Sequence, residues 1–153
     1  MSRISDPHFA DRVRASFALQ HAMTLIRAAL AVVEHGRTEI HLPHWPGVEQ
    51  QHGFVHGGVV GMIADSAAGY AAMTTVPAAA SVLTVEYKMN LMAPADGEHL
   101  IARGKVVRAG RTLVVTQSEV FAVKNGRETQ CALMQQTIIV MHGKSEKKPG
   151  ERP

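Results

Sequence analysis

The chain has a single cysteine, Cys131, so no internal disulfide can form. Within the apolar run Cys131-Ala-Leu-Met134 that thiol reads as a small core residue and not as a nucleophile. Aromatics are scarce. The one tryptophan, two tyrosines and four phenylalanines do not alternate with basic residues as base-stacking nucleic-acid binders require. No uninterrupted apolar stretch approaches the ~20 residues of a membrane-spanning helix. Met1-Ser-Arg-Ile-Ser-Asp-Pro7 puts an acid and a proline where a signal peptide needs an apolar run. A cytoplasmic protein with no nucleic-acid or membrane partner is expected. The net charge is only +3, and four of the sixteen basic residues fall in 144–153, a polar tail expected to be disordered.

What remains, 46% hydrophobic in 153 residues, is enough for one packed domain over 1–143. Asp6 to Gln20 carries Phe9, Val13 and Phe17 at helical spacing, which predicts a short surface helix with Asp6 as N-cap and Pro7 at its first position. Two short β-leaning runs, 28–34 and 38–42, flank His35-Gly36. Pro43, Pro46 and Gly47 then open a loop that lasts to Val55. From Val59 to Val76 the chain is apolar or small almost all round, as in a helix enclosed by protein. Four further segments, near 82–93, 98–108, 111–124 and 127–141, are separated by Asp96-Gly97, Ala109-Gly110 and Asn125-Gly126, which predicts a meander of hairpins. In the first, Leu83, Val85, Tyr87, Met89 and Leu91 alternate with Thr84, Glu86, Lys88 and Asn90, the pattern of a half-buried strand. The class is α+β: about six antiparallel strands bent around one long helix, with an extra N-terminal helix.

Asp65 is the only residue of the apolar helix that is charged at neutral pH. Burying an unpaired carboxylate is costly, so this one is either hydrogen-bonded for structure or kept for chemistry. Nine residues earlier stands His56-Gly57-Gly58, at the helix start. Free amides and the positive dipole end gather there, and glycine lets another molecule approach the backbone. Such amides can stabilise the oxyanion formed when a thioester or ester carbonyl is attacked. The same pair can also serve only the turn into the helix.

His56-Gly57-Gly58-Val59, then Ala64-Asp65-Ser66-Ala67-Ala68, then 85–94 together resemble the hotdog-fold acyl-CoA thioesterases of the phenylacetate-degradation type, over roughly 20–141. The resemblance implies a sheet wrapped around a central helix, a homodimer as the minimal active unit and commonly a homotetramer. It implies hydrolysis of an aryl- or medium-chain acyl-CoA, with coenzyme A as part of the substrate and no cofactor. It makes Asp65 the general base or nucleophile, the Gly57 and Gly58 amides the carbonyl-polarising donors, and His56 the residue that fixes their loop. Gln50 falls where the family carries an amide side chain, often asparagine, and Thr84 where many members have a hydroxyl beside the acid. Coenzyme A contacts fall on Arg108, Gly110, Arg111 and Thr112 at a hairpin tip and on Asn90 and Met92 at a strand end. Arginine forks suit phosphate. Members that place a hydroxyl one turn after the acid differ from this chain, which has Gly69 there.

His41, His44, His52 and His56 cluster before the helix but match no zinc-ligand spacing, and no metal is expected. A hotdog dehydratase or hydratase is disfavoured because Tyr70 stands five residues after the acid, where the hydratase pattern has histidine. A non-catalytic acyl-CoA-binding hotdog gains little from an acid in apolar surroundings. Met62, Tyr70, Met73 and Met89 are candidates to line an acyl tunnel, or plain core.

Overall fold

A computed structural model describes residues 6–144. The tail expected to be disordered lies outside them except for Lys144, as does the segment before Asp6.

Two helices come first, α1 (Phe9–Ala18) and the short α2 (His21–Leu25). The hairpin of β1 (Ala29–Glu34) and β2 (Arg37–Pro43) follows, and a single 3₁₀ turn at Pro46–Val48 leads toward α3 (Gly57–Met73). Four strands follow among the described residues: β3 (Ala80–Leu91), β4 (His99–Ala109), β5 (Leu113–Lys124) and β6 (Arg127–His142). All six strands form one antiparallel sheet in the order β1-β2-β4-β5-β6-β3. This is the hotdog arrangement, with α3 as the enclosed helix. Among the described residues no helix is long and apolar enough to cross a membrane.

Helix α1 starts later than the sequence predicts. His8, and not Asp6, holds the cap position, and it makes no side-chain cap bond. Asp6 instead accepts hydrogen bonds from the His8 amide at 2.9 Å and from Arg12 Nε at 2.8 Å. Arg12 is committed further inward, donating to the carbonyls of Met73 and Val76 at 3.0 Å and of Ala80 at 3.2 Å. Met73 ends α3, so the cation sits at the negative end of that helix's dipole. Burial opposes ionisation of Asp6, but the His8 amide and the Arg12 guanidinium outweigh it and hold the carboxyl below its ordinary pKa.

The expected meander forms only in part. β4–β5 and β5–β6 are hairpins, whereas β3 pairs with β6 and not with β4. Asp96-Gly97 is therefore no hairpin turn; the segment around it crosses the sheet end, where Met92 donates to Cys131 O and Glu98 to Val123 O, both at 2.8 Å. A Cβ on Gly97 would lie 2.4 Å from Val123 O, so close approach explains that glycine.

Small residues let the sheet close around α3. Ile63, Ala64 and Ala67 are fully buried against Ile40, Leu42, Leu100, Ala102, Val120 and Met134. Burying each of the larger aliphatic side chains contributes roughly 1.5–3 kcal/mol. Where α3 crosses β4, a Cβ on Gly104 would stand 2.3 Å from Ala67 O. Thr38 Oγ1 donates to the same carbonyl at 2.6 Å.

Strand β3 breaks the simple alternation. Thr84 pairs with Ile138 but Glu86 with Thr137, so a β-bulge falls at Val85. Before it Val82 and Thr84 lie opposite the buried Val140 and Ile138, and after it Tyr87 and Met89 lie opposite Gln136 and Met134. The inward set is therefore Val82 and Thr84, then Tyr87, Met89 and Leu91, because opposed residues of a ladder share a face. Of the apolar residues expected inside, Leu83 and Val85 face out, and even Tyr87 and Leu91, in phase with the inward set, are more than half exposed, which leaves only Met89 half-buried.

Candidate active site

Asp65 sits in the middle of α3, beside β3 and β6. Thr84 donates to Asp65 Oδ1 at 2.7 Å, and Gln136 Nε2 donates to the same oxygen at 3.1 Å and to the Asp65 carbonyl at 3.3 Å. Gln136 Nε2 also lies 3.3 Å from Thr84 Oγ1. The acid is thus one corner of a three-residue polar cluster drawn from one helix and two neighbouring strands. The bulge at Val85 is what allows it, since an unbroken alternation in phase with Met89 would turn Thr84 to the outer face.

The sequence reading missed Gln136. It is 2% exposed, and its Oε1 has no hydrogen-bond partner among the described residues. The signal was present in β6, where Ala132, Met134, Gln136, Ile138 and Val140 are the buried alternate positions and only Gln136 is polar. An amide on an apolar stripe is retained where it finds a partner.

At the start of α3, His56 is the N-cap, and its Nδ1 accepts from the Gly58 amide at 2.8 Å. His56 does fix the loop, but in doing so it takes up one of the two amides expected to polarise a carbonyl. The Gly57 amide has no acceptor among the described residues. A Cβ on Gly57 would lie 2.8 Å from Leu91 Cδ1. Gln50 accepts from the His52 amide and closes a turn in which Gly53 N donates to Gln50 O at 3.0 Å.

Within one chain these groups do not converge. Asp65 and Thr84 line a cavity of about 390 Å³, together with Gly69, Tyr70, Met73 and Val82. Gln50 and Gly57 line another of about 430 Å³, with Val60, Leu91 and Met92. Eight residues of helix, about 12 Å at 1.5 Å each, separate Gly57 from Asp65. Of the tunnel candidates, Tyr70 and Met73 border the acid's cavity, while Met62 and Met89 pack against the main core.

The expected coenzyme A contacts also divide. Arg108, Gly110, Arg111 and Thr112 form the β4–β5 turn, whose neighbouring Val114 lies in register with Ile138 and, through it, with Thr84. Arg108 and Arg111 are exposed and make no ion pair among the described residues. His142 Nε2 donates to Arg111 O at 2.7 Å and steadies the turn. Met92, just past the end of β3, lines the Gly57 cavity, whereas Asn90 near that strand end does not, and its Oδ1 accepts from Lys88 at 2.7 Å.

Two of the four loop histidines are engaged by different partners. His44 bonds Gly97 O at 2.7 Å and Glu49 at 3.0 Å, while His56 caps α3. Among the described residues no group of three or more His, Cys, Asp or Glu side chains is arranged to hold a metal. Burial pushes the Cys131 thiol up to about 11, which suits a core residue and not a nucleophile.

The sequence profile of the thioesterase superfamily matches residues 52–129, and a solved thioesterase family protein from Silicibacter pomeroyi is 41% identical, with a TM-score of 0.87 over 88% of this chain and 99% of that one. The chain belongs to the thioesterase superfamily. The superfamily match contains Gly57, Asp65 and Thr84, whereas Gln50 and Gln136 lie outside it. Escherichia coli PaaI, from the phenylacetic acid degradation operon, shares the fold at a TM-score of 0.81 and 16% identity, over 94% of this chain and all of that one. A Saccharolobus solfataricus protein provisionally named as an esterase is 32% identical over 57% of this chain. This thioesterase-superfamily chain spans 61% of the length of that archaeal relative.

Proposed function

We propose that the protein is an acyl-CoA thioesterase that hydrolyses an aryl- or medium-chain acyl-CoA to the free acid and coenzyme A. The observation that carries this reading is the Asp65 carboxylate, oriented on one oxygen by Thr84 and Gln136 at the wall of a cavity. Those two donors occupy Oδ1, and Oδ2 has no hydrogen-bond partner among the described residues. Oδ2 takes a proton from water attacking the thioester carbonyl and returns it to the coenzyme A thiolate expelled as the C–S bond breaks, or itself attacks and expels that thiolate to give an anhydride that water then opens to the free acid and the regenerated carboxylate. An amide at a helix start stabilises the oxyanion in either route. Water and the protein's own groups supply the chemistry, so no cofactor is needed.

The oxyanion donor comes from a second copy. β3 is a twelve-residue edge strand bearing the exposed Leu83, Val85, Tyr87 and Leu91, and an apolar edge of that length invites pairing. The Asp65 cavity borders Leu83 and Thr84 while the Gly57 cavity borders Leu91 and Met92. A two-fold axis near Tyr87 therefore sets each subunit's acid against the other's Gly57 and Gln50. Gly57, freed of any internal acceptor, is the donor in this reading, and the capped Gly58 supports the helix start. Pairs of such dimers give the tetramer. Arg108 and Arg111 hold the nucleotide phosphates, and a cytoplasmic setting suits an acyl-CoA substrate.

The test is release of free thiol from a panel of aryl and straight-chain acyl-CoA esters, followed with a thiol reagent. Turnover of at least one class above the uncatalysed rate supports the assignment. Tight binding of coenzyme A thioesters with no thiol released would make the protein a non-catalytic binder.

A further inference from the structure

The cavity beside Asp65 has two features that hydrolysis alone does not demand. The first is Gly69, one helical turn beyond the acid and so on the same face of α3. Its backbone is ordinary helix, and a Cβ built there meets nothing within 4 Å. Gly104 differs, since backbone atoms of Ala67 and Ala68 leave it no room for a Cβ, and at Gly57 a Cβ would have to displace the end of the Leu91 side chain. Glycine weakens a helix interior relative to alanine. Neither an unusual φ nor a close contact accounts for Gly69; open space lined by the acid does.

The second is the closure of the far end. Gln20 Nε2 donates to the Tyr70 hydroxyl at 2.9 Å, and Ser16 Oγ shares a hydrogen bond with it at 3.2 Å. Phe17 meets the Tyr70 ring edge-on, with centroids 5.8 Å apart. Ser16 and Phe17 belong to α1 and Gln20 to its junction with α2, so the N-terminal helices fix the Tyr70 ring from outside the sheet and its central helix. Tyr70 stands about 7.5 Å along the helix axis from Asp65, at 1.5 Å per residue.

We infer that Gly69 sets the width, and the Gln20–Tyr70 bond the depth, of the chamber that receives the acyl group. This rests on the thioesterase reading of the same site. The chamber takes a compact acyl group: the cavity of about 390 Å³ exceeds what a single ring requires, since an empty cavity of roughly 150 Å³ already holds benzene. A long unbranched chain meets Tyr70 before it can extend.

The experiment uses non-hydrolysable S-alkyl and S-aralkyl coenzyme A thioethers of graded length and bulk. Binding is measured by calorimetry, beside hydrolysis of the matching thioesters from acetyl to dodecanoyl. Gly69→Val is expected to weaken the bulkiest ligands at least ~10-fold more than the smallest, as added methyls do in an apolar pocket. Gly69→Ala should fall between, with a Tm at or above wild type. Gln20→Ala should shift the best-bound chain to a longer one. Equal weakening of all ligands by Gly69→Val would overturn the inference, as would a changed assembly mass on gel filtration without a change in selectivity. If wild type binds the thioethers but cleaves no thioester, the thioesterase reading fails, while the binding ratios still decide the chamber.

Discussion

Thr84 donates to Asp65 Oδ1 across 2.7 Å, although the alternation of its strand, read from Met89 backwards, would turn it to the outer face. The bulge at Val85 reverses the phase. It brings the hydroxyl to the acid, with Gln136 of the paired strand on the same oxygen.

In the proposed mechanism these two donors position the base. Thr84→Val keeps the shape and removes one hydrogen bond to a carboxylate, a loss of ~1.5–3 kcal/mol. A fall in kcat of about 10-fold or more is expected, with KM little changed. Gln136→Leu should act in the same direction, and the double variant should fall short of the product of the two because both donors serve one oxygen. Independent, fully multiplying effects would show that the two do not share the acid.

Arg111→Ala should raise KM more than it lowers kcat, since a contact to the nucleotide is felt equally in the ground and transition states. The KM increase should shrink at high salt, as screening weakens an exposed cation. An unchanged KM for coenzyme A thioesters contradicts the contact.

Asp6 ties the N-terminal helix to the end of α3 through Arg12. Folding lowers its pKa. The ionised form therefore stabilises the protein above the unfolded carboxyl value near ~3.9, and that contribution is lost as pH falls through the lower folded value. Asp6→Asn is expected to lower Tm by ~4 °C or more at neutral pH. The gap between variant and wild type should close as the solution is taken below pH ~4. A gap that persists in strong acid would mean that the ionised pair is not its source.

The proposed two-subunit site predicts complementation. Gly57→Pro deletes the amide, and proline is tolerated at a first helical position; His56, at φ −58° and ψ 135°, already has the backbone that precedes proline. Mixed with Asp65→Ala subunits and allowed to exchange, these inactive chains should recover one working site per mixed dimer. Folded mixed dimers without activity would contradict a site built from two subunits.

Much of this was legible along the chain. Asp65 in an apolar helix and His56-Gly57-Gly58 at its start are local patterns, and Asn125-Gly126 turns as such pairs do, with φ of 52° and 74°. Strand pairing is not local, and Asp96-Gly97 reads as a hairpin turn although it belongs to a crossing segment that lets β3 reach β6. A bulge leaves no sequence mark of its own, which hid the approach of Thr84. The five residues of α2 are too few to show a helical period. Gln136 was readable as the polar member of an apolar stripe in β6, but its partner lay on an element whose register was unknown.

The most direct measurement is the turnover of Asp65→Asn on the best acyl-CoA substrate, beside its melting curve and assembly mass. The substitution keeps size and hydrogen bonding but removes the carboxylate proposed to activate water or attack the carbonyl. A fall in kcat of at least ~100-fold in a folded, wild-type-sized protein is the expected result. Turnover within a few-fold of wild type would contradict the role of Asp65 and the site built around it.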